Sequence, residues 1–366
     1  MKTKFNDILM AAVFVVFLFG FAVAALLTPD QSFSEYERRK LAEFPKPSWK
    51  SVQSTGWMDN FEKYTLDQFP LRQEFRSVKS MLEFYGLAKL DMEGMYIEDG
   101  YLSKQEYPLS ESQVTSAAEK LSGIQAALFP NNRVFYSVIP DKNYFLADAA
   151  KKLDYDRLME IFSAGMSGTY IDIFDTLSAE AYYKTDTHFR QEKIERTAER
   201  LLSGLGADFV LPEYEPELVT ESFRGVYVGQ FALGSGGEPL YIMHSPDIDG
   251  ATAENYETGA SGGVYTLDAL DTYDPYGVYL YGSAAIVTVT NPNQNNGREL
   301  ILFRDSFGSS IAPLLLCGYE KITLVDVRYV TPSILPQILT YDDNTDVLFL
   351  YSTLILNSSS TIRGMN

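Results

Sequence analysis

The sequence predicts an α/β protein with a parallel β-sheet that is covered by helices on both faces. Its apolar runs of strand length do not alternate with polar residues, which is typical of parallel strands buried on both sides. Amphipathic helical segments lie between these runs, as they do in α/β folds. The predicted strands are 134–139, 170–174, 300–303, 322–325 and 347–351.

The helices of this predicted domain have recognisable signals. Ser110 and Gln113 predict a capping box ahead of a helix whose apolar face runs through 114–128. Residues 191–202 place apolar side chains on one face and charges on the other. A short crossover helix is predicted over 333–339.

Residues 1–28 predict a transmembrane anchor or a signal peptide. The apolar run from Ile8 to Leu27 is long enough to span a bilayer, and Lys2 and Lys4 precede it. This positive flank predicts a cytoplasmic N-terminus and a body outside the cytoplasm. The alternative is a cleaved signal, because Ala22-Val23-Ala24 offers small residues for cleavage. Cleavage would make the protein secreted rather than anchored.

The rest of the chain divides into two predicted parts. Residues 29–93 predict a linker and a helical segment, with helix-like apolar spacing over 49–85 that Pro70 interrupts. Residues 94–366 predict the α/β domain. Within it, about 206–297 is rich in Gly, Tyr, Asp, Thr and Val, which predicts a β-rich insertion beside the site.

Composition excludes several classes of function. A formal net charge of −19 and a pI near 4.5 argue against a nucleic-acid partner. Two histidines and one cysteine make a zinc site improbable, and the glycine-rich runs 234–237 and 259–263 lack the Lys-Ser/Thr of a phosphate loop. We therefore predict neither a metal nor a cofactor. Cys317, in an apolar segment, is predicted to lie in the core.

Ser306 is a candidate nucleophile because of its position. It follows the predicted strand 300–303 and opens a predicted helix, where free N–H groups carry partial positive charge. A serine there can attack a carbonyl while N–H groups of its own turn stabilise the oxyanion. The alternative is that Ser306 is only an N-cap.

Histidine is scarce, which makes each one informative. His188 follows Asp186 by two residues, so the carboxylate can orient the imidazole. A serine nucleophile needs such a base and such an orienting group, and Asp186, His188 and Ser306 supply one of each. The alternative for His188 is a packed or surface residue. His244 is predicted to be structural or exposed, and Asp305 to orient the loop or cap the helix.

With these residues identified, the chain resembles the DHHW family of bacterial extracytoplasmic proteins, which is similar to the alginate O-acetylation proteins of the SGNH hydrolase-like group. The matching stretches are 34–41, 67–72, 94–96, 183–189, 304–307 and 325–329. The resemblance implies a flavodoxin-like, three-layer α/β/α domain. It also implies that Asp186 orients, His188 acts as base and Ser306 attacks.

The resemblance comes with two departures. Phe189 stands where the family name has Trp. A Gly-Asn pair expected to help form the oxyanion hole corresponds here to Gly282-Ser283, so the oxyanion candidates are Gly282, Ser283 and Phe307.

The implied chemistry is acetyl transfer to or from hydroxyls of a cell-surface polysaccharide. A membrane-bound O-acyltransferase is the implied source of acetyl groups, since acetyl-CoA is absent outside the cell. The sequence leaves transferase and acetylesterase open, because water and sugar hydroxyls meet the same acyl-enzyme. A non-catalytic glycan-binding or envelope-assembly protein with the same fold is the alternative.

Overall fold

The computed structural model describes residues 2–37, 39–87, 94–146, 152–232 and 236–365. The chain forms two compact units. The helical unit comprises residues 1–92 with 229–234, and the α/β unit comprises 93–228 with 235–366.

The described part of the helical unit up to residue 87 contains short antiparallel strands and α-helices. Its elements are α1 (Lys2–Leu27), β1 (Phe33–Ser34), β2 (Arg39–Lys40), α2 (Trp49–Gln53), α3 (Gly56–Asp67), α4 (Arg72–Met81) and a π-helical turn (Leu82–Gly86). Within α1, Phe5–Leu27 has a mean hydropathy of 2.8 and is a candidate membrane span or signal segment. The predicted break at Pro70 falls between α3 and α4 and is confirmed.

Two of the stretches that carry the family resemblance meet within the helical unit. Asp67 accepts two hydrogen bonds from the Arg39 guanidinium, at 2.6 and 2.9 Å, and a third from the Ala42 N–H. The Arg39 hydrogen bonds hold the pKa of Asp67 below its usual range. Gln68 pairs with the backbone of Gln31 through both its amide oxygen and its amide nitrogen. The Arg39–Asp67 pair thus joins the stretch 34–41 to the stretch 67–72.

The α/β unit contains the remaining elements. They are β3 (Met95–Glu98), β4 (Tyr101–Lys104), α5 (Glu111–Leu128), β5 (Val134–Ile139), α6 (Tyr155–Gly165), β6 (Thr169–Tyr170), α7 (Glu195–Gly204), β7 (Glu215–Phe223), α8 (Val226–Phe231), β8 (Glu238–His244), α9 (Pro246–Gly250), β9 (Thr252–Asn255), β10 (Ser261–Gly262), β11 (Ile286–Thr290), β12 (Glu299–Arg304), α10 (Gly308–Ile311), β13 (Lys321–Val325), β14 (Asp346–Ser352) and α11 (Thr353–Asn357). The last residues of α8, from Gly229, belong to the helical unit.

An eight-stranded sheet organises the α/β unit. Its strand order is β10-β9-β11-β13-β12-β14-β5-β6. The pairs from β13 through β6 are parallel, whereas β10, β9 and β11 add antiparallel pairs. The predicted parallel sheet is therefore confirmed for its main body. The predicted strand 170–174 is shorter, because the Asp172 carboxylate accepts from the Phe174 N–H and starts a 3₁₀ turn.

Successive residues of β12 show that the sheet has helices on both faces. Leu300 and Leu302 pack in one core cluster with Leu201 of α7. Ile301 and Phe303 pack in a second cluster, which contains residues of α5 and α6. Because neighbouring strand residues point to opposite faces, the two clusters lie on opposite sides of the sheet. The three-layer α/β/α arrangement follows, and Cys317 is buried in the first cluster as predicted.

Three helix predictions need correction. The side chain of Ser110 makes no capping bond, and Gln113 instead accepts from the Ser359 hydroxyl at 2.9 Å. The segment 191–202 divides into a 3₁₀ turn and α7. The segment 333–339 forms a 3₁₀ helix, Pro332–Gln337, and it contains Pro336, whose ring would clash with the carbonyl four residues earlier in an α-helix.

The stretch 206–297 has two structural roles. Strands β7 and β8 pair as a separate antiparallel sheet. Strands β9, β10 and β11 instead extend the central sheet at its antiparallel edge.

Candidate active site

Ser306 lies at the carboxyl end of β12, a central parallel strand. Ligands of open α/β sheets bind at this edge. Asp305 fixes the turn: its Oδ1 accepts from the Phe307 N–H at 3.1 Å and its Oδ2 accepts from the Ser352 N–H at 2.8 Å. Asp305 thus orients the loop, which is one of the two roles predicted for it. Ser306 itself remains partly exposed.

Asp186 and His188 occupy a tight loop ahead of α7. The loop is closed by an antiparallel bridge between Tyr182 and Phe189, and the Tyr183 N–H donates to the His188 carbonyl at 3.1 Å. The His188 backbone N–H also donates to Asp186 Oδ1, at 3.1 Å. This local turn is the reason that a spacing of two residues places the carboxylate beside the imidazole.

The three predicted residues form one hydrogen-bonded series. His188 Nδ1 lies 2.5 Å from Asp186 Oδ1, and His188 Nε2 lies 2.6 Å from Ser306 Oγ. A carboxylate only accepts, so Nδ1 donates to Asp186 and Nε2 is left to accept from the serine hydroxyl. Asp186 is fully buried and His188 nearly so. The arrangement can remove a proton from Ser306 while the carboxylate stabilises the charged ring.

The backbone around Asp186 has several supports. The Val226 N–H donates to Asp186 Oδ2 at 2.7 Å. The buried Glu238 carboxylate accepts from the Lys184 N–H and the Thr185 N–H, at 2.9 and 2.7 Å. These bonds fix the loop against β8 and the start of α8.

A buried lysine lies beneath the same loop. Lys142 Nζ donates to the carbonyls of Tyr183, Lys184 and Asp186, at 3.1, 3.4 and 2.9 Å. Burial lowers the pKa of Lys142 to about 7, opposed by the charges of Asp186, Glu238 and Asp141. Its three donors converge on the backbone that carries the Asp186 side chain.

Aromatic rings enclose the imidazole. Tyr276 stacks on His188 with ring centroids 4.0 Å apart and an interplanar angle of 13°, and its hydroxyl donates to Ser310 Oγ at 2.7 Å. Phe307 also lies against His188, with ring centroids 5.0 Å apart. Phe189, at the position of the family's Trp, is fully buried and packs on Phe307 at 4.8 Å. Its side chain contributes to packing, not to a surface contact.

The oxyanion candidates differ in what their N–H groups do. The Phe307 N–H donates to Asp305, and the Gly282 N–H donates to the Tyr279 carbonyl at 2.9 Å. Ser283 is exposed. Within the part of the chain that the structure describes, the Ser306 N–H has no hydrogen-bond acceptor. The turn therefore offers a donor, but from Ser306 and not from Phe307.

The Gly282 loop is nonetheless a constrained part of the site. Leu280, Tyr281 and Gly282 all have positive φ, of 46°, 61° and 62°. At the two non-glycine residues this costs about 1–2 kcal/mol each. The buried Arg304 guanidinium donates to the carbonyls of Gly282 and Ala284, at 3.2 and 3.1 Å, which holds the loop beside the serine turn. Strain maintained in this way is common at functional sites.

The second histidine takes no part in this arrangement. His244 lies between Asp249 and Glu217, at 2.6 and 2.7 Å, and is partly exposed. Partial burial lowers its pKa, but the two carboxylates outweigh that effect and raise it. It links the β7–β8 sheet to α9, in keeping with its predicted structural role.

Sequence reasoning missed Lys142, Glu238 and Tyr276. For Lys142 there was a signal, since it follows β5 closely and parallel strands end at one edge of a sheet. Glu238 and Tyr276 lie in the stretch between α7 and β12, and nothing in their local sequence distinguishes them from neighbouring acidic and aromatic residues.

Fold and site together define an α/β protein with a serine, a histidine and an aspartate in series at the carboxyl edge of its sheet. Neither the sequence profiles of known families nor the sequences of curated proteins match the chain. Solved structures do. A DHHW family protein from Eubacterium siraeum matches with a TM-score of 0.61 and 18% identity, over 75% of this chain and 97% of its own.

Bacillus cereus PatB1, solved with a sulfonyl adduct, matches with a TM-score of 0.56 and 16% identity, over 72% of this chain and 97% of its own. The O-acetyltransferase domain of Pseudomonas putida AlgJ matches with a TM-score of 0.44 and 10% identity, over 72% of this chain and 92% of its own. This similarity is too distant to support an argument. The first two likenesses confirm, at the level of the fold, the resemblance to DHHW family proteins.

Proposed function

We propose that this protein transfers acetyl groups, through an acyl-Ser306 intermediate, to or from hydroxyls of a cell-surface polysaccharide. The observation that carries the proposal is the series Asp186–His188–Ser306, with contacts of 2.5 and 2.6 Å. Helix α1, as a membrane anchor, would hold the α/β unit outside the cytoplasm. The polysaccharide as acceptor rests on the sequence resemblance to DHHW and alginate O-acetylation proteins.

In the first half-reaction, Ser306 Oγ attacks the acyl carbonyl while its proton passes to His188 Nε2. The bond to the donor oxygen then breaks, and that oxygen leaves with the proton from Nε2. Asp186 holds the imidazolium formed between these steps. The N–H of Ser306 would stabilise the oxyanion, a contribution of roughly 3 kcal/mol per donor.

In the second half-reaction, an acceptor hydroxyl attacks the acyl carbonyl and gives its proton to Nε2. The bond between the acyl carbon and Ser306 Oγ then breaks, and Oγ takes the proton back from Nε2, which restores the free serine. Water as acceptor would make the protein an acetylesterase, and a sugar hydroxyl would make it a transferase. In the transferase direction, acetyl groups would come from a membrane-bound O-acyltransferase, since no acetyl-CoA is present on that side.

Hydrolysis of p-nitrophenyl acetate by the full chain in detergent tests the nucleophile. We expect Ser306→Ala to lower turnover by about 1000-fold or more, and Asp186→Asn by about 10²–10⁴ through loss of the correct imidazole tautomer. Ser203→Ala, an exposed serine of α7, is the control and should be unchanged. Activity that persists in Ser306→Ala would reject the acyl-enzyme.

Covalent labelling provides a second test. The sulfonyl adduct belongs to PatB1, but the shared fold makes phenylmethylsulfonyl fluoride a natural probe here. Peptide mass spectrometry should place one sulfonyl group on Ser306, with fluoride released. A chain that binds acetylated glycan yet takes up no label would instead be a glycan-binding or assembly protein.

A further inference from the structure

One face of α4 and of the π-helical turn that follows it is apolar and exposed. Helix α4 and the π-helical turn after it, with the preceding Leu71, place large apolar residues at intervals of four, three, four and three. We call this set the apolar stripe. Its residues, each between 43% and 74% exposed, are Leu71, Phe75, Val78, Leu82 and Tyr85. This spacing is that of one helix face, and a continuous surface of this kind is uncommon on a protein in water.

The opposite face of α4 fixes its rotation. Arg72 and Arg76 form ion pairs with Glu37, at 2.8 and 2.9 Å. Arg76 also donates to the carbonyls of Gly229 and Gln230, at 3.2 and 2.9 Å. These contacts hold the polar face inward within the helical unit. Because these contacts fix the rotation of α4, the apolar stripe is held on the outward face of the helix.

Contacts with α1 fix the position of the apolar stripe along the axis of that helix. Phe21 of α1 stacks on Phe69 at 5.2 Å and 10°, and meets Phe75 edge-on at 5.5 Å. Pro70 and Leu71 line a groove on the same side of α1, together with residues from Val16 to Thr28. The stripe is thus continuous with the surface of α1 that would face lipid.

The position of Phe21 along α1 gives the depth in the bilayer at which Phe69 and Phe75 would lie. Phe21 precedes Leu27, the last residue of the helix, by six residues, or about 9 Å along the axis. With α1 spanning the bilayer, as the proposed function requires, Phe69 and Phe75 lie about that far below the outer end of the span. Amphipathic interfacial helices bury their apolar faces roughly 5–10 Å into the headgroup and acyl boundary.

We infer that residues 71–86 lie in the outer leaflet of the membrane, with the apolar stripe buried among lipid headgroups and upper acyl chains. The exposed flanking residues are of mixed charge, Glu74 and Lys79, so apolar burial drives the contact and not attraction to anionic lipid. The helical unit thus has two membrane contacts, a span and an interfacial helix. The inference depends on the anchoring part of the proposed function, but not on its chemistry.

Spin-label depth measurements on the full chain in phosphatidylcholine nanodiscs test this inference. Nitroxides are introduced through Val78→Cys and Leu82→Cys, and collisions with oxygen, which concentrates in lipid, are compared with collisions with aqueous nickel chelate. Cys317 is buried and should not be labelled. Phe14→Cys in α1 gives the bilayer reference, and Asp343→Cys in the α/β unit gives the aqueous reference.

We expect the labels at 78 and 82 to favour oxygen over nickel, as the label at 14 does. Glu74→Cys, on the edge of the stripe, should lie measurably shallower. If 78 and 82 match the aqueous reference while 14 remains in lipid, the inference is wrong although the anchor stands. Labels shielded from both agents would show a protein covering the stripe, which also overturns it. Sulfonyl labelling of Ser306 in the same nanodiscs reports separately on the proposed chemistry.

Discussion

The protonation state of Lys142 affects how the Asp186 side chain is positioned. Its ammonium group donates three hydrogen bonds to the backbone of the loop that carries Asp186. A protonated amine can donate all three bonds, whereas a neutral amine has only two donors. Its protonation therefore bears on how firmly the loop is held.

Lys142 should leave a signature in the pH dependence of stability. Burial lowers its pKa from 10.5 to about 7, so the native state binds fewer protons than the unfolded chain between these values. The contribution to stability is therefore complete above about pH 10.5 and is lost as the pH falls to about 7, with a slope of up to roughly 1.4 kcal/mol per pH unit.

Denaturant unfolding at pH 7 and pH 9 measures this slope. The wild-type chain should gain stability over this interval relative to Lys142→Met, whose other titrating groups are the same. A constant difference between the two proteins would show that Lys142 keeps its ordinary pKa.

At the scale of single residues, scarcity made the site predictable. Only two histidines exist, and one has a carboxylate two positions earlier, so Asp186 and His188 could be paired without a structure. Tyr276 could not be found in this way, because its stacking on His188 depends on tertiary packing and the chain has 25 tyrosines. Likewise, no local pattern shows that the Phe307 N–H donates to Asp305, whereas the Ser306 N–H finds no acceptor among the described residues.

Among the elements, the start of α8 is packed closely against the Asp186 loop. The Gly225 N–H donates to Thr185 Oγ1 at 3.0 Å, one residue before the Val226 N–H that binds Asp186. A Cβ at position 225 would lie 2.3 Å from both the Asp186 Cβ and the Thr185 carbonyl oxygen. Only glycine allows this approach.

Gly225→Ala should displace the loop and lower the rate of ester hydrolysis at least about tenfold, with a stability loss of about 1–3 kcal/mol from overpacking. Gly123→Ala in α5 is the matched control, since its Cβ would meet nothing within 4 Å. That variant should retain activity and gain up to about 1 kcal/mol in stability. Equal activities of the two variants would contradict the close approach.

Buried parallel strands were easier to predict from the sequence than the short helical segment after Ser306. Strands β5, β12, β13 and β14 are mostly apolar and almost entirely buried, and they lie within one residue of their predicted bounds. The segment after Ser306 was harder. It has one α-helical turn, Gly308–Ile311, and then a 3₁₀ helix, Ala312–Gly318, that contains Pro313. Local apolar content cannot distinguish such a segment from a regular α-helix.

On the scale of the whole molecule, the candidate site belongs to one unit. Asp186, His188, Ser306 and their described supports all lie in the α/β unit. The two solved structures with similar folds match 72–75% of this chain but 97% of their own. The matched share is comparable to the share of this chain that lies in the α/β unit.

A fragment of residues 94–366 should therefore be soluble and hydrolyse p-nitrophenyl acetate with turnover comparable to that of the full chain. It should also fail to sediment with vesicles, since α1 and the apolar stripe are gone. Turnover per labelled serine, with the same fragment carrying Ser306→Ala as blank, provides the measurement. An aggregated or inactive fragment would mean that the site needs the helical unit.

The overall fold was predictable in its parallel half and less so at its antiparallel edge. Strand β11 alternates Val and Thr and lies in a stretch rich in turn residues, so its sequence suits a separate β-rich insertion. Only the structure shows that it pairs with β13 and so extends the central sheet. Pairing partners that are distant in sequence leave no local trace in either segment.

The distance along the chain between His188 and Ser306, 118 residues, has a kinetic consequence. The hydroxyl acquires its base only after both the 182–189 loop and the β12 turn have reached their native positions, and contacts between such distant segments form slowly. The activation of Ser306 by His188 therefore requires both segments to be in their native positions. During refolding, the appearance of sulfonyl-reactive serine would report when these two distant segments come together.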